Sequence, residues 1–181
     1  MRNGMPGLGK QEGFIALGSN LGDRELYLAG AIRSLEEKGI RVLEQSPVYE
    51  TKAVGYLDQP DFLNMVVRFE SELPVQELLN KLLAIEAKHG RIRKTKWGPR
   101  TLDLDLLFYG KLILDDPKLT VPHPRIQERA FVLMPLQDLA PDLLHPLLGL
   151  TVKKMAEQVP GKEGVRRWEK PLESGFVPTE N

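Results

Sequence analysis

"WGPRTLDLDLLFYG" (residues 97–110) is the stretch whose reading decides the fold. Leu102, Leu104 and Leu106 alternate with Asp103 and Asp105, and a period of two marks a strand with one face in a core. The leucines point inward and the aspartates share the opposite face, with their carboxylates about 7 Å apart. At an effective dielectric of about 20 that pair repels by roughly 2 kcal/mol, so a cleft-lining face needs a counter-cation. Hard oxygen ligands, in a chain with three histidines and no cysteine, favour Mg2+ over Zn2+. Just upstream, "KHGRIRKTKWGPR" (88–100) holds six Lys and Arg in thirteen residues. Arg91, Arg93, Lys94, Lys96 and Arg100 sit in a segment punctuated by Gly90, Gly98 and Pro99. Cations beside a Mg2+ site suit a polyphosphate: the metal bridges phosphate oxygens and guanidiniums neutralise charge that moves. Taken singly, each feature also fits a solvated surface.

Working outward, "GFIALGSN" (13–20) reads as a buried strand running into a turn. In "LGDRELYLAGAIRSLEEKGI", Leu26, Leu28, Ala31, Ile32 and Leu35 form a helical stripe, with Asp23 at its start and Gly39 at its end. Residues 40–51 read as a strand interrupted at Pro47, and "FLNMVVRFES" (62–71) as another. "PVQELLNKLLAIEAKHG" (74–90) is the clearest helix, with Pro74 in its first turn and Gly90 as its C-terminal cap. Its stripe of Leu78, Leu79, Leu82 and Ile85 includes one carboxylate, Glu86, at the core's edge or facing a site. The order β-α-β-β-α-β predicts an α+β chain with a ferredoxin-like core, a mainly antiparallel sheet packed with helices. C-terminal additions follow: a short hairpin around "KLILDD", one short helix in a Pro-rich segment, a helix at 151–158 and an edge strand "GVRRWEK".

The length of 181 residues suits one domain, expected over 13–171, with 1–12 a disordered extension and 172–181 a loose tail. The 25 basic and 25 acidic residues cancel, which argues against general nucleic-acid coating. The absence of cysteine excludes disulfides and thiolate chemistry. No run reaches the ~18 apolar residues of a bilayer span, and the expected location is the cytoplasm. An RNA-binding module is the rival of another class, but the chain lacks the aromatic octamer that such sheets carry. A D-x-D nucleotide-sugar transferase is a second rival, though such chains are usually longer.

Further candidates cluster near these elements. His123 shares "TVPHPRIQERAF" with Arg125 and Arg129, a second phosphate-facing patch. Asn64 in "QPDFLN" offers an amide that donates and accepts, suited to a heterocycle. Phe62 and Phe131 neighbour these polar residues and can clamp a flat ring.

The ordered motifs "ALGSNLGD", "VYET", "QPDFLN", "IEAKHGRIR", "WGPRTLDLDLL" and "VPHPRIQERAFVLMPL" resemble the 6-hydroxymethyl-7,8-dihydropterin pyrophosphokinase family, over roughly residues 13–150. The resemblance implies transfer of pyrophosphate from ATP to the pterin hydroxymethyl group, giving AMP, in folate biosynthesis. It implies two Mg2+ ions on Asp103 and Asp105, and catalytic assistance from Arg91 and Arg100. For ATP it implies Arg93, Lys94, Lys96, Trp97, Thr120, His123 and Arg129. For the pterin it implies Thr51, Val54, Phe62, Asn64 and Phe131, with Glu86 close by. The expected partners are ATP and the hydroxymethyl dihydropterin, with no nucleic acid and no membrane, and the expected state is a monomer. Phe62 stands where some members have tyrosine, which keeps stacking and loses a hydroxyl. Pro124 stands where some have tyrosine, and the segment from Arg93 to Trp97 is one residue shorter than in some.

Overall fold

Residues 9–52, 59–90 and 101–170 are described by the structure, a computed structural model. In chain order the elements are β1 (Gln11–Ser19), α1 (Arg24–Glu37), β2 (Arg41–Gln45), β3 (Tyr49–Thr51), β4 (Phe62–Ser71), α2 (Val75–Lys88), β5 (Asp103–Tyr109), β6 (Leu114–Asp116), β7 (Leu119–Val121), α3 (Ala130–Leu139), α4 (Val152–Gln158) and β8 (Val165–Arg167). One-turn 3-10 segments at Ile126–Glu128 and Lys162–Gly164 precede α3 and β8.

Local chemistry sets the boundaries. The Asp23 carboxylate accepts from the Leu26 amide at 3.1 Å and caps α1, satisfying one of the donors a helix start leaves open. Thr151 caps α4 in the same way through Lys154, at 3.1 Å. Gly39 and Gly90 follow α1 and α2 with φ of +83° and +81°, a conformation glycine adopts without a Cβ penalty. Pro74 occupies the N-cap of α2 rather than its first turn.

The main sheet runs β5-β1-β4-β3-β8, and β2 also pairs with β4. Every pairing in it is antiparallel, and β6 and β7 form a separate hairpin. This is an α+β architecture. On one face Ile15, Leu17, Leu63, Met65 and Leu104 meet Leu28, Ile32 and Leu35 of α1 and Leu78, Leu82 and Ile85 of α2. On the other, Phe14, Val66 and Phe108 meet Ala130, Leu133 and Leu136 of α3 and Val152 and Met155 of α4. Burial on both faces explains why β4 reads as a nearly continuous apolar run. No helix among the described residues is long and apolar enough to cross a membrane.

Three expectations shift. β1 begins at Gln11, two residues inside the expected extension, because the ten-residue β4 offers Ser71 and Glu70 as partners for Gln11 and Glu12. Leu26 is 44% exposed rather than part of the α1 stripe; the buried face runs through Leu28, Ala31, Ile32 and Leu35. The alternation in β5 holds through Leu106, then a bulge opposite Phe14 and Ile15 leaves Leu107 out of register. Leu107 and Phe108 therefore both pack on the α3 side, while Tyr109 returns to the α1–α2 side.

Candidate active site

Strand register builds the floor of a cleft. Gly18 of β1 stands opposite Asn64 of β4 on one side and Asp103 of β5 on the other. Ala16 likewise pairs with Asp105. Adjacent strands lie about 4.8 Å apart, so Asp103 and Asn64 are separated by roughly 10 Å across β1. Gly18 keeps the space between them clear: a Cβ there would stand 3.1 Å from Asn64 Oδ1 and 3.6 Å from Phe62 Cδ1. Asn64 Nδ2 donates to Thr51 Oγ1 at 2.8 Å, both residues being buried. This fixes the amide and presents its carbonyl over Gly18. Phe62 at the start of β4 and Phe131 at the start of α3 complete the walls. The cavity has a volume of about 780 Å³, ample for two small ligands.

Charge is concentrated at the β5 end. Asp103 and Asp105 are half-buried, so water and ligand oxygens have access to them. Arg129 Nη1 lies 3.8 Å from Asp105 Oδ2, and its guanidinium sits 5.7 Å above the Phe131 ring. Arg129 thus faces the carboxylate end and the aromatic wall together. Burial draws its pKa below the ordinary value, while Asp105 works in the opposite direction. His123 is anchored to β5 by its amide, which donates to the Leu107 carbonyl at 3.0 Å. Burial, then the Arg129 charge, bring its imidazole down to about 4 against the pull of Asp103. Its Nδ1 accepts from the Arg125 amide at 3.2 Å. The neutral ring therefore carries its proton on Nε2, leaving a neutral donor.

Glu86 resolves in favour of a structural link that also borders the cavity. It is buried, and its Oε2 accepts from the Leu104 amide at 2.7 Å. Leu104 lies between the two aspartates, so α2 fixes the β5 backbone at the point where the carboxylates project. Among the described residues no group of three or more His, Asp or Glu side chains converges as a metal cage. The Asp103–Asp105 pair nonetheless fits Mg2+, which is held by one or two carboxylates and completed by water and substrate phosphates.

The cavity gathers Thr51, Phe62, Asn64, Glu86, Asp103, Asp105, Thr120, His123, Arg129 and Phe131 from the sequence candidates. Val54, Arg91, Arg93, Lys94, Lys96, Trp97 and Arg100 lie outside the described residues. Not foreseen were Gly18, Lys118 of the β6–β7 turn, and a stripe of Gln76, Leu79, Asn80 and Leu83 on α2. That stripe has the spacing i, i+3, i+4, i+7 and runs beside the core stripe, a second periodicity open to detection.

The family model described as 7,8-dihydro-6-hydroxymethylpterin-pyrophosphokinase (HPPK) matches residues 14–141. A 2-amino-4-hydroxy-6-hydroxymethyldihydropteridine pyrophosphokinase of Synechocystis sp. is 49% identical over 146 residues, 80% of this chain and 74% of that protein. The Bacillus subtilis protein of the same name is 42% identical over 156 residues, 86% of this chain and 89% of its own. The folic acid synthesis protein fol1 of Pneumocystis carinii is 43% identical over 146 residues, but the chain spans only 20% of its length. Wild-type HPPK-DHPS of Plasmodium falciparum, solved with pterin and p-hydroxybenzoate, superimposes with a TM-score of 0.62 at 16% identity. That match covers 88% of this chain and 45% of the other, and it supports the fold alone.

Proposed function

The chain belongs to the 7,8-dihydro-6-hydroxymethylpterin-pyrophosphokinase family, and from that premise we propose that it transfers pyrophosphate from ATP to 6-hydroxymethyl-7,8-dihydropterin in folate synthesis. The hydroxymethyl oxygen forms a bond to the β-phosphorus, the bond from that phosphorus to the α-phosphate oxygen breaks, AMP leaves, and the hydroxyl proton is lost. One observation carries the reading. A single strand register places an amide wall and a carboxylate pair at opposite ends of one cleft, the arrangement needed to align a heterocycle with a polyphosphate.

In this reading the pterin ring lies between Phe62 and Phe131, and Asn64, held by Thr51, recognises its edge. Asp103 and Asp105 hold two Mg2+ ions, which when bound supply charge neutralisation at the phosphate oxygens. His123 donates from Nε2 to the nucleotide without adding charge, and Arg129 adds a guanidinium near the phosphates. Thr120 contacts the nucleotide. Arg91 and Arg100 neutralise charge on the bridging and leaving groups, and Arg93, Lys94, Lys96 and Trp97 complete the nucleotide contacts. Val54 joins the pterin wall. No protein base is required, since positioning and charge stabilisation dominate phosphoryl chemistry. We further read β1, α1, β2, β4, α2 and β5 as a ferredoxin-like core, with residues 13–171 working as a single unit. Incubation with Mg2+, ATP and the hydroxymethyl dihydropterin tests the function: AMP is expected, and ADP or no nucleotide product contradicts it.

A further inference from the structure

At the β3 end of the sheet four charged side chains close on one another. Arg24 Nη1 donates to Glu50 Oε2 at 2.8 Å and to the Asp61 carbonyl at 2.9 Å. Arg166 Nη2 donates to Glu50 Oε1 at 3.0 Å and to Asp61 Oδ2 at 3.2 Å. Burial pushes the Glu50 carboxyl up, but the hydrogen bonds from Arg24 and Arg166 outweigh it and hold it below the ordinary carboxylate range. Glu50 and Asp61 immediately precede Thr51 and Phe62, which face each other across β3 and β4 as the last rung of that ladder. Arg166 stands directly opposite Glu50 in the pairing of β3 with β8. β8 lies beyond residues 14–141, the part matched by the family model. Trp168 supports the arrangement: its amide donates to the Val48 carbonyl at 2.8 Å, and its ring lies 5.1 Å from the Arg24 guanidinium.

We propose that Arg24 and Arg166 are positioning residues for the pterin wall, locking the Thr51–Phe62 rung by bridging Glu50 to Asp61. The inference rests on the proposed function, because it takes Thr51, Phe62 and Asn64 as the pterin wall. β3 has only three residues, and so short a strand has few ladder bonds to resist fraying. The rung matters because the Asn64 amide is oriented by Thr51 Oγ1, and a hydrogen bond of that length fails after a displacement of about 0.5 Å. Asp103, Asp105, His123 and Arg129 belong to β5 and the segment leading into α3 and make no contact in this clamp. The clamp therefore acts on one substrate and spares the other, which a general loss of stability does not.

Steady-state kinetics of the full chain with each substrate varied in turn provide the test. Arg166→Ala is expected to raise the pterin KM about fivefold and Arg24→Met about tenfold, with the ATP KM changed by less than about twofold. Arg166→Lys recovers part of the loss. In a Thr51→Val background, Arg166→Ala adds less than about twofold, since the two act through one contact. A pterin KM that stays put, KM values that rise together, or fully additive effects overturn the clamp. A wild-type chain that turns over while the clamp variants match it sinks the clamp alone. A wild-type chain that releases no AMP removes the functional reading and the clamp with it.

Discussion

Gly18→Ala probes the cleft floor at its narrowest point. The φ of Gly18 is not positive, so alanine fits the backbone, and replacing glycine within a strand is neutral or mildly stabilising by itself. The cost falls on the neighbours. The new methyl stands 3.1 Å from Asn64 Oδ1 and 3.6 Å from Phe62 Cδ1. Asn64 must yield by a few tenths of an ångström, yet its amide is tied to Thr51 at 2.8 Å. Overpacking of this kind costs about 1–3 kcal/mol, which corresponds to roughly 5- to 150-fold in kcat/KM for the pterin. The methyl faces away from His123 and the β6–β7 hairpin, so the ATP KM holds within about twofold. Calorimetric titration of the pterin and kinetics with each substrate varied supply the numbers, and a melting curve confirms folding. An unchanged pterin affinity, or an ATP KM that rises in parallel, refutes the placement of the pterin over Gly18.

Asp103→Asn and Asp105→Asn remove the charge while keeping the shape; each is expected to lower Mg2+-dependent turnover by about 10²-fold or more, roughly 3 kcal/mol. Turnover close to wild type at saturating Mg2+ contradicts their role. Glu86→Ala strands the buried Leu104 amide and is expected to cost about 1–3 kcal/mol of stability by urea denaturation. Glu86→Gln, which keeps an acceptor, costs less, and equal losses argue against the hydrogen bond. His145 is buried, its pKa is lowered by burial, and its Nδ1 accepts from the Leu147 and Leu148 amides. Its folded-state pKa lies below the unfolded value of about 6.5, so the unfolded chain takes up the proton first. Stability is complete above that value and falls as the pH drops below it. The urea midpoint should decline between pH 7.5 and 5.5, and less steeply in His145→Asn; identical slopes exclude His145 as a contributor.

Much of the architecture was legible because it is written in local periodicity. The alternation of Leu102, Leu104 and Leu106 with Asp103 and Asp105 specified both the strand and the face that carries the carboxylates. Asp23 and Gly39 bracketed α1, and the interruption at Pro47 separated β2 from β3. The roles of Thr51, Thr120 and His123 came from resemblance, since nothing in their spacing distinguishes them from ordinary strand and loop residues. Gly18 escaped notice because a side chain that is absent leaves no pattern; its importance depends on the register that sets it between Asn64 and Asp103. The clamp is illegible for a related reason. Arg166 and Glu50 are 116 positions apart, and only the addition of β8 to the sheet edge brings them together. The bulge that resets β5 is likewise a property of the paired strands.

The central claim is that the β-phosphate leaves the nucleotide and joins the pterin. ATP labelled with 32P at the β position, incubated with the chain, Mg2+ and 6-hydroxymethyl-7,8-dihydropterin, tests it directly. The account predicts unlabelled AMP and a labelled pterin diphosphate in equal amounts. Label retained in the nucleotide, as ADP or unreacted ATP, or recovered only as free pyrophosphate, would contradict it.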